Sequence, residues 1–96
     1  MRRKLPVADL RQNTERHRYE FATEAGPALA FYRLSDGVMT FTHTEVPAAL
    51  RGRGIGSAMM RAVLDDVRAQ GLKVIAACPF VVDYIARHRE FADLLA

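Results

Sequence analysis

The chain has 96 residues, half of them hydrophobic, and its 14 Lys and Arg outnumber its 11 Asp and Glu for a formal net charge of +3. That length corresponds to one domain, residues 1–96, and no stretch approaches the ~20 consecutive apolar residues that span a bilayer. The one cysteine, Cys78, excludes an internal disulfide and a cysteine zinc site, and three histidines far apart in sequence leave no metal site to expect.

In chain order, the basic start Met1-Arg2-Arg3-Lys4 is not followed by an apolar run of signal-peptide length, which predicts a soluble, cytoplasmic protein. Residues 17–23 alternate as a strand and end at the turn formers Glu24, Ala25, Gly26 and Pro27. Residues 28–33 read as the next strand, Asp36-Gly37 is a hairpin signal, and residues 38–45 form a β-branched and aromatic third strand. The period then changes. Ile55, Met59, Ala62, Val63 and Val67 recur at helical spacing until Gly71. Residues 72–77 are a short apolar strand, and from Pro79 a second helix carries Val81, Tyr84, Ile85, His88 and Phe91 on one stripe. The expected fold class is α/β, in the order β-β-β-α-β-α. An antiparallel meander leads into a β-α-β unit with a parallel strand pair, and a helix closes the chain.

The segment Arg51-Gly52-Arg53-Gly54-Ile55-Gly56 stands directly before the first helix. Glycines let a backbone turn tightly and approach a ligand. The first N–H groups of a helix lack intrahelical partners and lie at the positive end of its dipole. The combination fits a diphosphate, and Arg51 and Arg53 add mobile positive charge. No Gly-Lys-Ser/Thr is present, which excludes a Walker A loop. A dinucleotide fingerprint fails at Ser57 or at Met59, depending on its start, and the next strand ends at Cys78 rather than at a ribose-binding acid. What remains is Arg-x-x-Gly-x-Gly, met by Arg51, Gly54 and Gly56; the competing interpretation is a plain glycine-rich turn. The mild positive charge also suits an anionic ligand. The basic residues are scattered and no aromatic platform accompanies them, so nucleic-acid binding is not expected.

Through Val46-Pro47-Ala48-Ala49-Leu50 and the glycine loop to Ser57, the chain resembles the Gcn5-related N-acetyltransferase superfamily. It is more similar still to a compact subgroup of that superfamily. The similarity runs through His43-Thr44-Glu45-Val46, Cys78-Pro79-Phe80-Val81, Tyr84-Ile85 and His88-Arg89-Glu90-Phe91, and covers roughly residues 8–95. The resemblance implies an acetyl-CoA site. Diphosphate would lie on amides of residues 51–57, Val46 and Tyr84 would join the cofactor contacts, and pantetheine would run between splayed strands at residues 38–45 and 72–77. It also implies an amine acceptor, although the helices that shape the acceptor pocket of larger members are missing.

Acetyl transfer to an amine requires proximity and a route for a proton. Cys78 precedes Pro79 at a helix N-terminus, where a thiolate is favoured. It is a candidate for a covalent acetyl carrier, for a pocket-lining thiol, or for a small buried hydrophobe. His43 and Glu45 lie two apart on one strand face and are candidates to take the amine proton, unless His43 joins Met39 and Phe41 in the core. His88 reads as a packing residue, His17 as surface. A binding module that holds CoA or acyl-CoA without turnover is the alternative to an enzyme.

Overall fold

A computed structural model describes residues 9–96; the basic start lies outside them. One five-stranded sheet runs in the order β1 (Leu10–Asn13), β2 (Arg18–Phe21), β3 (Ala28–Ser35), β4 (Val38–Glu45), β5 (Lys73–Ala76). The first four strands are antiparallel neighbours, and β5 joins β4 in parallel. Two helices, α1 (Ile55–Ala69) and α2 (Pro79–Arg87), complete the fold, with 3₁₀ turns at Ala48–Leu50 and Arg89–Leu94. No helix among the described residues is long and apolar enough to cross a membrane.

The expected α/β order holds, with one strand added at the front. β1 has Leu10 as its only apolar residue, so alternation could not reveal it; pairing with β2 from Leu10–Phe21 to Asn13–Arg18 makes it a strand. Asp36 and Gly37, both at positive φ (52° and 77°), form the two-residue loop between paired Ser35 and Val38.

One core forms where the helices meet one sheet face. Tyr19, Ala28, Ala30, Met39, Phe41 and Val74 come from the strands, and Met59, Met60, Val63, Leu64 and Val67 from α1. The α1 contribution has the i, i+4, i+8 spacing of one helical stripe. Gly71 stops α1 as a Schellman cap: its N–H donates to the Arg68 carbonyl at 3.0 Å, and that of Leu72 to the Val67 carbonyl at 3.1 Å. The second helix is shorter than its stripe implied. It breaks at His88 (φ −125°, ψ 77°), and Phe91 enters the core from the following 3₁₀ turn. That turn is tied to α1 by Arg61–Glu90 at 2.6 Å and Arg68–Asp93 at 2.7 Å, with both guanidinium groups lying against Phe91.

Tyr19 is fully buried, and its hydroxyl donates to Asp66 on α1 at 2.6 Å. Gln70 donates to both the Asp66 carboxylate and the Tyr19 oxygen. Burial first, and then the bond to Asp66, push the Tyr19 phenol well above its ordinary value of 10.0. A group with a raised folded-state value that is neutral when protonated contributes stability below the unfolded value and loses it as pH rises beyond. Stability is therefore expected to fall above pH ~10. Tyr19→Phe should cost about 1 kcal/mol at neutral pH and flatten the alkaline loss. Urea titrations at pH 7 and in the alkaline range check both; an equal alkaline slope in the variant would refute the assignment.

β4 is irregular at one point. Phe31 pairs with His43 and Tyr32 with Phe41, which leaves Thr42 surplus as a β-bulge. A bulge shifts the phase of alternation. Met39 and Phe41 point into the core, whereas beyond Thr42 it is Thr44 that turns inward and His43 and Glu45 that face solvent. Strict alternation grouped His43 with Met39 and Phe41; the bulge is the physical reason that grouping does not hold.

Candidate functional site

The parallel pairing of β4 and β5 covers only Val38–Phe41 against Lys73–Ala76, and its last rung is the Ala77 N–H donating to the Phe41 carbonyl at 3.0 Å. β4 continues four residues further, still paired to β3, with its other edge facing no strand among the described residues. The two strands thus part at Phe41. An extended chain bearing amides can add to such an edge.

Beyond that opening lies a cleft of about 210 Å³, lined by Val46, Leu50, Arg51, Gly52, Gly54, Ile55, Gly56, Ser57 and Phe80. Gly52 and Gly54 both take positive φ (82° and 77°), a conformation that strains any residue with a Cβ. Gly54 is the N-cap of α1, and the first helical bond runs from the Ala58 N–H to the Gly54 carbonyl at 3.0 Å. The amides of Ile55, Gly56 and Ser57 therefore precede the intrahelical ladder and remain available as donors. No acidic residue occupies the first turn, so the positive end of the helix is not neutralised from within. A Cβ on Gly56 would stand 2.9 Å from the Phe80 ring, so the width of the cleft depends on this residue having none. A diphosphate fits this donor set.

Of the residues singled out from sequence, Val46, Arg51, Gly52, Gly54, Ile55, Gly56 and Ser57 share this cleft. Arg53 lies on the other side of the loop. It lines an adjoining hollow with Ala22, Thr23, Glu24, Leu50 and Ile55, and its guanidinium is 3.8 Å from the Glu24 carboxylate. Tyr84 does not line the cleft. It is 4% exposed, its ring stacks on His88 at 4.0 Å, and Phe80 lies along its other side at 6.5 Å. Burial is the main reason its phenol is raised. Phe80, which the sequence reading left out of the site, takes the wall position instead. It sits at the edge of the apolar stripe in the first turn of α2, one turn before Tyr84, and an aromatic at such an edge is the available signal. His88 is a packing residue: Nδ1 lies 2.9 Å from the Tyr84 carbonyl.

Cys78 is the N-cap of α2, followed by Pro79 at the first helical position. Its carbonyl accepts from the N–H groups of Val81 and Val82. The thiol is 5% exposed, and its Sγ lies 3.8 Å from the Thr44 hydroxyl across the gap between the strands. The bulge brings these two groups together, because it turns Thr44 inward. On the opposite face of β4, His43 Nε2 lies 3.1 Å from the Glu45 carboxylate, with both side chains more than half exposed. The Phe31 ring stacks on His43 at 5.8 Å. The strand thus places Thr44 toward one face and the His43–Glu45 couple toward the other, all beside the opening.

Comparison with known proteins agrees with this architecture. A family model described as GCN5-related N-acetyl-transferase matches residues 18–94. The chain is similar to Protein NATD1 of Xenopus tropicalis, 28% identical over 85 residues, which covers 83% of this chain and 78% of the frog protein. The mouse Protein NATD1 is 30% identical over 81 residues, covering 79% and 74% respectively. A GCN5-like protein from Staphylococcus aureus, solved in solution by NMR, superposes with a TM-score of 0.70 at 24% identity over 96% of this chain and 91% of its own. That likeness establishes the fold. The family match spans most of the sequence, and with it the chain belongs to the GCN5-related N-acetyltransferase family.

Proposed function

We propose that this chain binds acetyl-CoA in the cleft at the start of α1 and transfers the acetyl group to an amine. The observation that carries the proposal is the alignment of two features: the cleft with its free amides lies directly beyond the point where β4 and β5 part. In this proposal the amides of residues 55–57 and the Arg51 side chain hold the diphosphate, with Arg53 as a second cation at the loop. Val46 and the open edge of β4 hold pantetheine, and Cys78 with Thr44 closes the inner end. Phe80 forms the wall, and Tyr84 contributes by supporting Phe80.

When bound, the donor would supply a thioester whose carbonyl carbon bonds to the amine nitrogen as the C–S bond breaks, and CoA would depart as a thiolate that takes its proton from solvent. His43 and Glu45 take up the proton the amine gives up, as a hydrogen-bonded couple reached from solvent. Direct transfer needs no covalent step at Cys78, and the burial of that thiol supports a pocket-lining role for it. Intact-protein mass spectrometry after exposure to acetyl-CoA tests the covalent alternative, which a stable acetyl adduct at Cys78 would favour.

Calorimetric titration with acetyl-CoA is the decisive measurement, and absence of saturable binding would sink the proposal. Glu45→Gln and His43→Asn are each expected to lower kcat by about 100-fold, at the lower end of what a positioned base supplies, with acetyl-CoA affinity unchanged. The loss should shrink at higher pH, where more of the amine arrives deprotonated. Binding without release of free CoA thiol across a broad amine panel would instead identify a CoA-binding module.

A further inference from the structure

The sheet face opposite the core is organised by register. Arg18, Phe31 and His43 form one row across β2, β3 and β4; Glu20, Leu29 and Glu45 form a second on the same strands. Arg33, Thr40 and Ile75 form a third across β3, β4 and β5, just below the opening between the strands. The first row is in contact throughout: the Arg18 guanidinium lies 5.7 Å from the Phe31 centroid, and Phe31 stacks on His43. Ile75 is 46% exposed.

Among the described residues, the hollows near this face do not enclose the His43–Glu45 couple. The two hollows described above flank the glycine loop. A third, of about 410 Å³, lies at the outer edge of β5 between Ile75, Val82, Ala86 and Leu95, and of this face it takes in Ile75 alone among the residues named above. None of the three is lined by His43 or Glu45. Small ligands are held by sites that bury roughly 70–90% of their surface, and a free amine resting on a half-exposed couple would have little to fix it. An extended polypeptide provides its own additional contacts along a flat face.

The charges narrow its chemistry. Apart from the His43–Glu45 couple, this face carries Arg11, Arg18 and Arg33 against Glu20. Glu20 is already engaged by Arg18 at 2.9 Å and Arg11 at 3.7 Å, and the hydrogen bond from Asn13 first, then that from Arg18 and the charge of both arginines, hold its carboxyl below the ordinary range. Arg33 is exposed and takes part in no ion pair among the described residues. A segment laid here meets surplus positive charge on the β1–β3 side of a single carboxylate–imidazole couple.

We infer that the acceptor is a lysine side chain on a polypeptide segment with acidic neighbours. Its amine meets His43 and Glu45, its acidic flanks meet Arg33 and Arg18, and its apolar parts rest on Phe31 and Ile75. The inference rests on the acetyl-transfer proposal above.

The test measures thiol release with short synthetic peptides bearing one lysine flanked by Glu, Ser or Arg, with Nα-acetyl-lysine amide and spermidine as small-amine controls. Acetyl-CoA affinity is measured separately by calorimetry. The Glu-flanked peptide is expected to exceed the small amines in kcat/KM by roughly tenfold or more, and the Arg-flanked peptide to fall below the Ser-flanked one. Arg33→Glu, a change at an exposed position, should reverse the flank preference and leave the acetyl-CoA Kd unchanged. Acetyl-CoA binding with small amines used as well as peptides, or with no peptide acetylated, overturns this inference alone. Failure of acetyl-CoA to bind overturns the proposal beneath it, and the inference with it.

Discussion

Gly56→Val should lower acetyl-CoA affinity about 100-fold, close to 2.7 kcal/mol, while leaving the fold intact. Gly56 is the second residue of α1 with its φ in the ordinary range, so a side chain there is compatible with the backbone. The conflict is spatial. The new Cβ would stand 2.9 Å from the Phe80 ring and 3.5 Å from Val46, the two residues that face each other across the cleft. The branched methyl groups would fill the space where a diphosphate must approach the amides of residues 55–57. Adding Phe80→Ala makes room again, and the double variant should recover part of the lost affinity. Thermal unfolding of Gly56→Val should move little, since valine in place of glycine in a first turn does not lower helix propensity. Calorimetry on the single and double variants checks the pair. An unchanged Kd in Gly56→Val would remove this cleft from the donor site.

Phe41→Ala should cost about 3–5 kcal/mol, the usual range for deleting a fully buried aromatic side chain. Phe41 has no exposed surface and packs edge-on against Tyr32 at 6.4 Å. Its carbonyl closes the last rung between β4 and β5. A chain of this length has a total stability of roughly 5–14 kcal/mol, so the change removes a large fraction of the margin and should lower Tm by about 15 °C or more. Urea unfolding with an unchanged m-value is the measurement. A loss below about 1 kcal/mol would show that the core closes around the gap, in conflict with the packing described.

The sequence was most informative where one physical signal dominated. Helical spacing from Ile55 to Val67 and the glycine stop fixed α1, the Asp36-Gly37 pair fixed the β3–β4 hairpin, and three glycines with two arginines marked the loop at the start of α1. It was least informative where tertiary partners decide. β1 is a strand only because β2 pairs with it, and a single Leu10 leaves no alternation to read. The bulge at Thr42 has no glycine or proline to announce it, so the outward turn of His43 could not be foreseen. Tyr84 and Phe80 differ by one turn of α2. Periodicity identifies Tyr84 as part of the stripe, but only the packed arrangement reveals that Phe80, at the edge of that stripe, borders the cleft.

The surplus residue in β4 has a consequence for how this domain tolerates length changes. Orientation of the imidazole and carboxylate is set by their register against β3, which the bulge keeps while absorbing one extra residue. Deleting Thr42 would remove the bulge and restore strict two-residue periodicity with the same facing, Phe41 and Thr44 inward and His43 and Glu45 toward solvent, still opposite the same residues of β3. A single-codon deletion at that position would thus spare the proton-transfer couple, whereas straightening the strand with every residue retained would turn both side chains toward the apolar interior.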